Sequence, residues 1–171
     1  MNTKLIISAN GPDRKGIVSE ISSIISKHHA NIETSKMIRL EQEFAILILI
    51  DIKTELISKL NKSLSEIKNL SINLIETKSS NTLAHQKKIH LYINGADNEG
   101  IVYQFSDYLS KLDINIEEVN TKIKSAPISA TPLFMMDLVI SSKNIIDENK
   151  LNQDLNAISE KLGVEIEIKK N

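Results

Sequence analysis

The chain has 171 residues, with 21 Lys and Arg against 22 Asp and Glu for a formal net charge of −1, no cysteine, and aromatics at 4%. A charge this balanced gives no bulk attraction for nucleic acid, and the missing thiols exclude disulfides, a cysteine nucleophile and thiolate metal sites. The opening Met-Asn-Thr-Lys-Leu-Ile-Ile-Ser lacks the basic segment and long apolar core of a signal peptide. The longest apolar run, Phe44 to Ile50, is too short to cross a bilayer, so a cytoplasmic protein with no membrane partner is expected.

In chain order, Leu5 to Ile7 is an apolar run that stops at Asn10-Gly-Pro and reads as a buried strand. From Gly16 onward Ile17, Val18, Ile21, Ile24 and Ile25 fall on one face of a helix. Asn31 to Leu40 and Phe44 to Ile50, separated by the polar Glu41-Gln-Glu43, form a hairpin. Asp51 to Lys68 returns to helical spacing through Leu56, Ile57, Leu60, Leu64 and Ile67, and Leu70 to Ile75 is a closing strand. Polar residues 79–87 read as a linker, after which the order resumes. Ile89 to Ile93 is a strand, Ile101 to Leu112 a helix, Ile114 to Ile123 and Leu133 to Ile140 a hairpin, Asp147 to Leu162 a helix and Val164 to Ile168 a strand. The hairpin connection is short in the first half but runs from Lys124 to Pro132 in the second, where two prolines stiffen it.

The two halves repeat in detail. Asn10-Gly-Pro-Asp-Arg-Lys-Gly-Ile-Val18 returns as Asn94-Gly-Ala-Asp-Asn-Glu-Gly-Ile-Val102, and Asn31-Ile-Glu33 returns as Asn115-Ile-Glu117. The offset from Gly11 to Gly95 and from Asn31 to Asn115 is 84 residues in both cases, which marks a duplicated unit. The predicted organisation is a module over 1–78, a linker over 79–87 and a second module over 88–171. Each follows βαββαβ order, an α+β fold of the ferredoxin-like kind with an antiparallel sheet and both helices on one face. In the turn, Gly11 is expected to supply an unusual backbone angle, Asp13 to cap the helix and Gly16 to permit close approach. Amides converging at the helix start suit a carboxylate or another small anion. Phe44 to Ile50 is apolar on both faces, so the sheet face away from the helices is expected to be covered by the other half or by a second copy. Asp137 in the matching strand predicts less complete coverage there.

Gly11-Pro-Asp-Arg-Lys-Gly-Ile-Val18 with Ala30-Asn-Ile-Glu33, and Gly95-Ala-Asp-Asn-Glu-Gly-Ile-Val102 with Ile114-Asn-Ile-Glu117, resemble the ACT domain family of amino-acid-binding regulatory modules. The tandem layout is similar to that of the glycine cleavage system transcriptional repressor family. The wording of the first turn also resembles the start of formyltetrahydrofolate deformylases, whose catalytic domain is missing from this sequence. The resemblance implies a non-enzymatic sensor with an amino-acid effector, glycine or a relative, held where the turn and helix start meet the beginning of the second strand across a module interface. The implied ligand-binding residues are Gly11, Asp13, Arg14, Lys15, Gly16, Ile17 and Asn31, and in the second half Asp97, Asn98, Glu99, Gly100, Ile101 and Asn115. Exchange of Arg14-Lys15 for Asn98-Glu99 weakens the second half for anions, so the first helix start is the one expected to be occupied. A regulatory protein partner and a homodimer are expected, with no cofactor and no metal. His28, His29, His85 and His90 show no metal spacing.

Other readings compete with this one. The modules could serve only to dimerise. An RNA-binding sheet needs aromatics on its central strands and a basic surface, and a small ferredoxin-like hydrolase needs a phosphate-cradling arginine, for which Arg14 is the loose match.

Overall fold

The period-two alternation of Leu5, Ile7 and Ala9 against polar neighbours makes the first strand, β1 (Asn2–Pro12), a ribbon with one face in the core. In the computed structural model, residues 1–78, 88–125 and 131–170 are described, and the chain divides into two units, Met1–Ser80 and Asn81–Asn171. The linker at 79–87 and residues 126–130 of the proline-containing connection lie outside the described residues.

Unit 1 continues with α1 (Ile17–Lys27), β2 (Asn31–Leu40), β3 (Glu43–Lys53), α2 (Ile57–Ser65) and β4 (Ser71–Thr77). All pairings are antiparallel and the strand order is β2-β3-β1-β4. Isoleucine is a weak helix former, so α1 owes its stability to burying Ile17, Ile21 and Ile25, one turn apart, against Leu5, Ile7 and Ile50 of the sheet. Each such side chain contributes roughly 1.5–3 kcal/mol on burial. The helical spacing read from Asp51 begins too early. Ile52 keeps the alternation of Ile48 and Ile50 into the core, so β3 runs on to Lys53 beside Asn2 before a 3-10 turn over Thr54–Leu56 leads into α2.

Unit 2 repeats the plan with β5 (Lys88–Ala96), α3 (Ile101–Lys111), β6 (Asn115–Ser125), β7 (Pro132–Ser141), α4 (Glu148–Leu162) and β8 (Val164–Lys170), in the order β6-β7-β5-β8. Its core joins Leu91, Ile93, Phe105, Leu109, Leu138, Ile140 and Leu155. Tyr108 ties α3 to α4 by donating its hydroxyl to Asp154 at 2.8 Å, and burial together with that carboxylate raises the phenol's pKa well above its usual range. The two modules are thus α+β ferredoxin-like sheets in tandem, as the repeat implies.

Strand register assigns the face that the helices leave open. In unit 1, Ile38 lies beside Ala45, and Thr34, Leu49, Ile6 and Ile75 form a row across all four strands, with Leu47 next to Ser8. Leu47 is 55% exposed and Ile75 59%. The rows of unit 2 are more polar: Asn120, Asp137, Tyr92 and Glu167 match Lys36, Leu47, Ser8 and Asn73 of unit 1, and Glu118, Val139, His90 and Lys169 match the row through Leu49. Edge strands β2 and β6 are exposed almost throughout their lengths.

Candidate functional site at the strand-helix turn and the edge-strand bulge

The two glycines of each turn exchange the roles expected of them. Gly16 and Gly100 both have φ near +85 with open space where a Cβ would stand, so they supply the left-handed angle. Gly11 is the close approach, since a Cβ there would sit 2.3 Å from the Asn69 carbonyl oxygen; at Gly95 it would meet Val164 Cα at 2.7 Å. Sequence order identifies a glycine turn but not which glycine faces a neighbour, because that neighbour arrives from the distant end of the module.

Asp13 does not cap α1. Gly16 occupies the N-cap position with no side-chain bond, and Gly100 does the same for α3. Asp13 instead pairs with Arg39 Nη1 at 3.6 Å across the end of β2, and its backbone N–H donates to the Gln42 carbonyl. Glu20 N–H and Gln104 N–H close the first helical bonds onto Gly16 and Gly100. The first-turn amides of Val18 and Ser19, and of Val102 and Tyr103, have no acceptor among the described residues. Unbonded N–H groups at a helix start are the kind an anion can take. By contrast, α4 is capped by Asp147, which accepts from Asn149 and Lys150 N–H at 3.1 Å.

The polar residues of the turns are spent differently in the two modules. Arg14 forms an exposed ion pair with Glu20, and Lys15 makes no ion pair among the described residues. Asn98 donates its amide to the Leu162 carbonyl at 2.9 Å, tying the turn to the end of α4, while Asp97 and Glu99 are exposed. Ile17 and Ile101 have their side chains in the core, so only their backbone faces the turn.

Asn31 and Asn115 are not brought to the turn of their own module. Pro12 lies beside Glu43 at one end of β3, whereas Asn31 lies beside Asp51 at the other, eight residues away. At about 3.3 Å per residue the separation is roughly 26 Å. One small ligand cannot touch both within a module.

What surrounds these asparagines was missed by the sequence reading. The repeated Asn-Ile-Glu is a β-bulge: register shifts between Ile32 and Thr34 and again between Ile116 and Glu118, so Glu33 and Glu117 are the extra residues and are re-aimed. Glu33 accepts an ion pair from Lys4 Nζ at 2.7 Å. Glu117 accepts from Ser141 Oγ at 2.6 Å and from Asn115 Nδ2 at 2.6 Å, and these bonds, the serine's first, hold its carboxyl below the usual range. The available signal was the recurrence of Lys4 as Lys88 at the same offset as the Asn-Ile-Glu pair.

Beside this end of unit 1, the open face forms a groove of about 520 Å³ over Ile6, Leu47 and Leu49, with Lys4, Thr34 and Thr77 at its side. Among the described residues no three His, Cys, Asp or Glu cluster in a way that could hold a metal, and no helix is long and apolar enough to cross a membrane. His28, at the end of α1, shares a 2.9 Å hydrogen bond with Ser63 of α2.

The sequence model of the ACT domain family matches residues 3–74, which is nearly all of unit 1. Unit 2 repeats its strand order, its turn and its bulge. The ACT match therefore falls on unit 1, and unit 2 shares its fold. Over 165 residues, 94% of this chain and 86% of the relative, it is 22% identical to the glycine cleavage system transcriptional repressor of Escherichia coli. Over 50 residues it is 40% identical to a UPF0237 protein of Methanopyrus kandleri, a match that spans 29% of this chain and 56% of that relative. A crystal structure of an unknown protein from Galdieria sulphuraria superposes over 100% of the chain and 99% of its own, with a TM-score of 0.88 at 26% identity. Module 1 and module 2 name the two units below.

Proposed function

We propose that this protein is a non-enzymatic sensor of glycine or another amino acid, acting in the cytoplasm and passing the signal to a regulatory protein partner. The observation that carries the reading is the pair of uncapped helix starts, whose unbonded amides offer a carboxylate site at the turn that also bears Arg14 and Lys15. The ACT family match and the similarity to the Escherichia coli glycine cleavage system transcriptional repressor support a regulatory role. Asn31 supplies the complementary contact, since its amide donates to a carboxylate and accepts from an ammonium. Because it lies far from the turn of its own module, a ligand that uses both takes one of them from another copy of the chain.

The proposed assembly is a homodimer in which a second copy covers the open face of module 1. Its apolar row runs through Leu49, Ile6 and Ile75. In the matching row of module 2 only Val139 is apolar, beside Glu118, His90 and Lys169, so each chain offers one such face and association closes at two copies. Ligand acts by favouring one packing, to the extent that it binds that packing better. The test is a thermal-shift screen of the full chain against the twenty amino acids, with calorimetry on any hit. A ligand that binds only the folded protein raises stability by about 2.7 kcal/mol at a hundred times its Kd. A hit lost in Asn31→Ala supports the sensor. No shift at millimolar concentration leaves the modules as interaction surfaces alone.

A further inference from the structure

This inference rests on the sensing reading above and concerns which module performs it. Asp51 of β3 and Ser141 of β7 occupy matched positions. Each lies across from the lysine of its module's first strand, Lys4 or Lys88, and from the asparagine that opens the edge strand, Asn31 or Asn115. In module 2 the serine hydroxyl donates to Glu117, and the carboxylate so held accepts the Asn115 amide. In module 1 an ionised aspartate has no proton to donate, and its charge repels a second carboxylate. Glu33 turns to Lys4 at 2.7 Å instead, while Asp51 accepts the Asn2 amide at 2.9 Å. Asn31 is left without a side-chain hydrogen bond among the described residues.

We infer that the exchange of aspartate for serine at this position decides which module can receive an amino acid, so that the chain carries one such site, on module 1. Module 2 is disfavoured because Glu117 engages one N–H of the Asn115 amide and sets a carboxylate against it, where the like charge of an amino acid's carboxylate would be repelled. Its turn differs as well, with Asn98 held by the Leu162 carbonyl, whereas in module 1 Arg14 pairs with Glu20 and Lys15 makes no ion pair among the described residues.

Two measurements on the full chain test this. Calorimetric titration with glycine, and separately with each of the other nineteen amino acids, should give one site per chain for whichever binds. Asn31→Ala should weaken that binding roughly tenfold, the worth of a hydrogen bond to a charged group. Asp51→Ser, by giving Glu33 a hydroxyl partner, should weaken it in the same direction, and Asn115→Ala should leave it unchanged. Two equivalent sites, or equal losses from Asn31→Ala and Asn115→Ala, would overturn the inference. The second measurement needs no ligand and follows the side-chain amide resonances of both asparagines in isotope-labelled protein. Asp51→Ser should move the Asn31 resonances toward those of a bonded amide, and Glu117→Ala, at an exposed position, should release those of Asn115. Resonances that fail to respond overturn the inference even where an amino acid binds. Absence of heat with all twenty in the wild type would instead overturn the sensing reading, and the resonances would still decide the exchange.

Discussion

Leu47 and Asp137 stand at the same place in the two modules, on the strand at the centre of the sheet and the face away from the helices. Directly beside Leu47 lie Ser8 and Lys36, with Ile6, Leu49 and Ile38 in the flanking rows; directly beside Asp137 lie Tyr92 and Asn120, with Glu118, Val139 and His90 in a flanking row and Lys169 Nζ 4.8 Å from the Tyr92 ring centre. Both modules build the same core with the same topology, yet one presents an apolar sheet face and the other a charged one. A fold is specified by its buried side, and duplication leaves the outer side free to diverge. Module 2 offers two rings, Tyr92 and His90, among its described open-face residues, but the carboxylates Asp137 and Glu167 flank Tyr92, which is thin support for an RNA-binding sheet.

The sharpest way to break this contrast is to write one face onto the other. Leu47→Asp should abolish the proposed self-association outright, seen as a halved mass in sedimentation, with unchanged circular dichroism because the side chain is exposed. A mass that stays the same would remove the module 1 face from the interface. Next in size, Gly11→Ala and Gly95→Ala should each destabilise their own module by about 3 kcal/mol in urea unfolding, because the added methyl overlaps backbone that cannot retreat. Gly16→Ala and Gly100→Ala should cost about 1 kcal/mol, the strain of a left-handed alanine with open space around it. A larger loss at Gly16 than at Gly11 would reverse the assignment of roles.

A smaller effect separates the modules by pH. The Glu117 carboxyl is held below its usual range, so it contributes stability that is present above the unfolded carboxylate pKa of about 4.3 and is lost as pH falls through the folded value. Ser141→Ala should cost module 2 on the order of 0.5–1 kcal/mol at neutral pH and flatten this acid dependence, with no change in module 1. Smallest, and equal in both halves, is the gain from His29→Gly and Asp113→Gly. Both residues end a helix with φ near +55 in the left-handed region, and glycine should return up to about 1 kcal/mol by thermal unfolding. Unequal gains would show that the matched helix ends are not energetically matched.

Much of the fold was legible because its signals are local. Ile17, Ile21 and Ile25 one turn apart specify a helix with a single buried face, and the alternation from Phe44 to Ile50 specifies a strand. The site was legible only in part. That Gly11, Gly16 and Asp13 matter follows from the repeated turn, but what each does depends on Asn69 and Arg39, which the sequence does not announce as neighbours. Asn31 and Asn115 look alike in sequence and differ in the structure, because their freedom is set by Asp51 and Ser141 on another strand.

The sequence by itself determined the duplication, the order of elements, the helix faces and the two-sided apolar character of the strand from Phe44 to Ile50, since each is a periodicity or a repeat carried by residues close in the chain. Only the tertiary structure decided which glycine is crowded, where the bulge turns Glu33 and Glu117, and which asparagine remains free. Those outcomes are settled by contacts between residues far apart in the chain, such as the hydrogen bonds of Ser141 with Glu117, 24 positions apart, and Asn98 with Leu162, 64 positions apart. Strand register and not sequence proximity brings such partners within 3 Å.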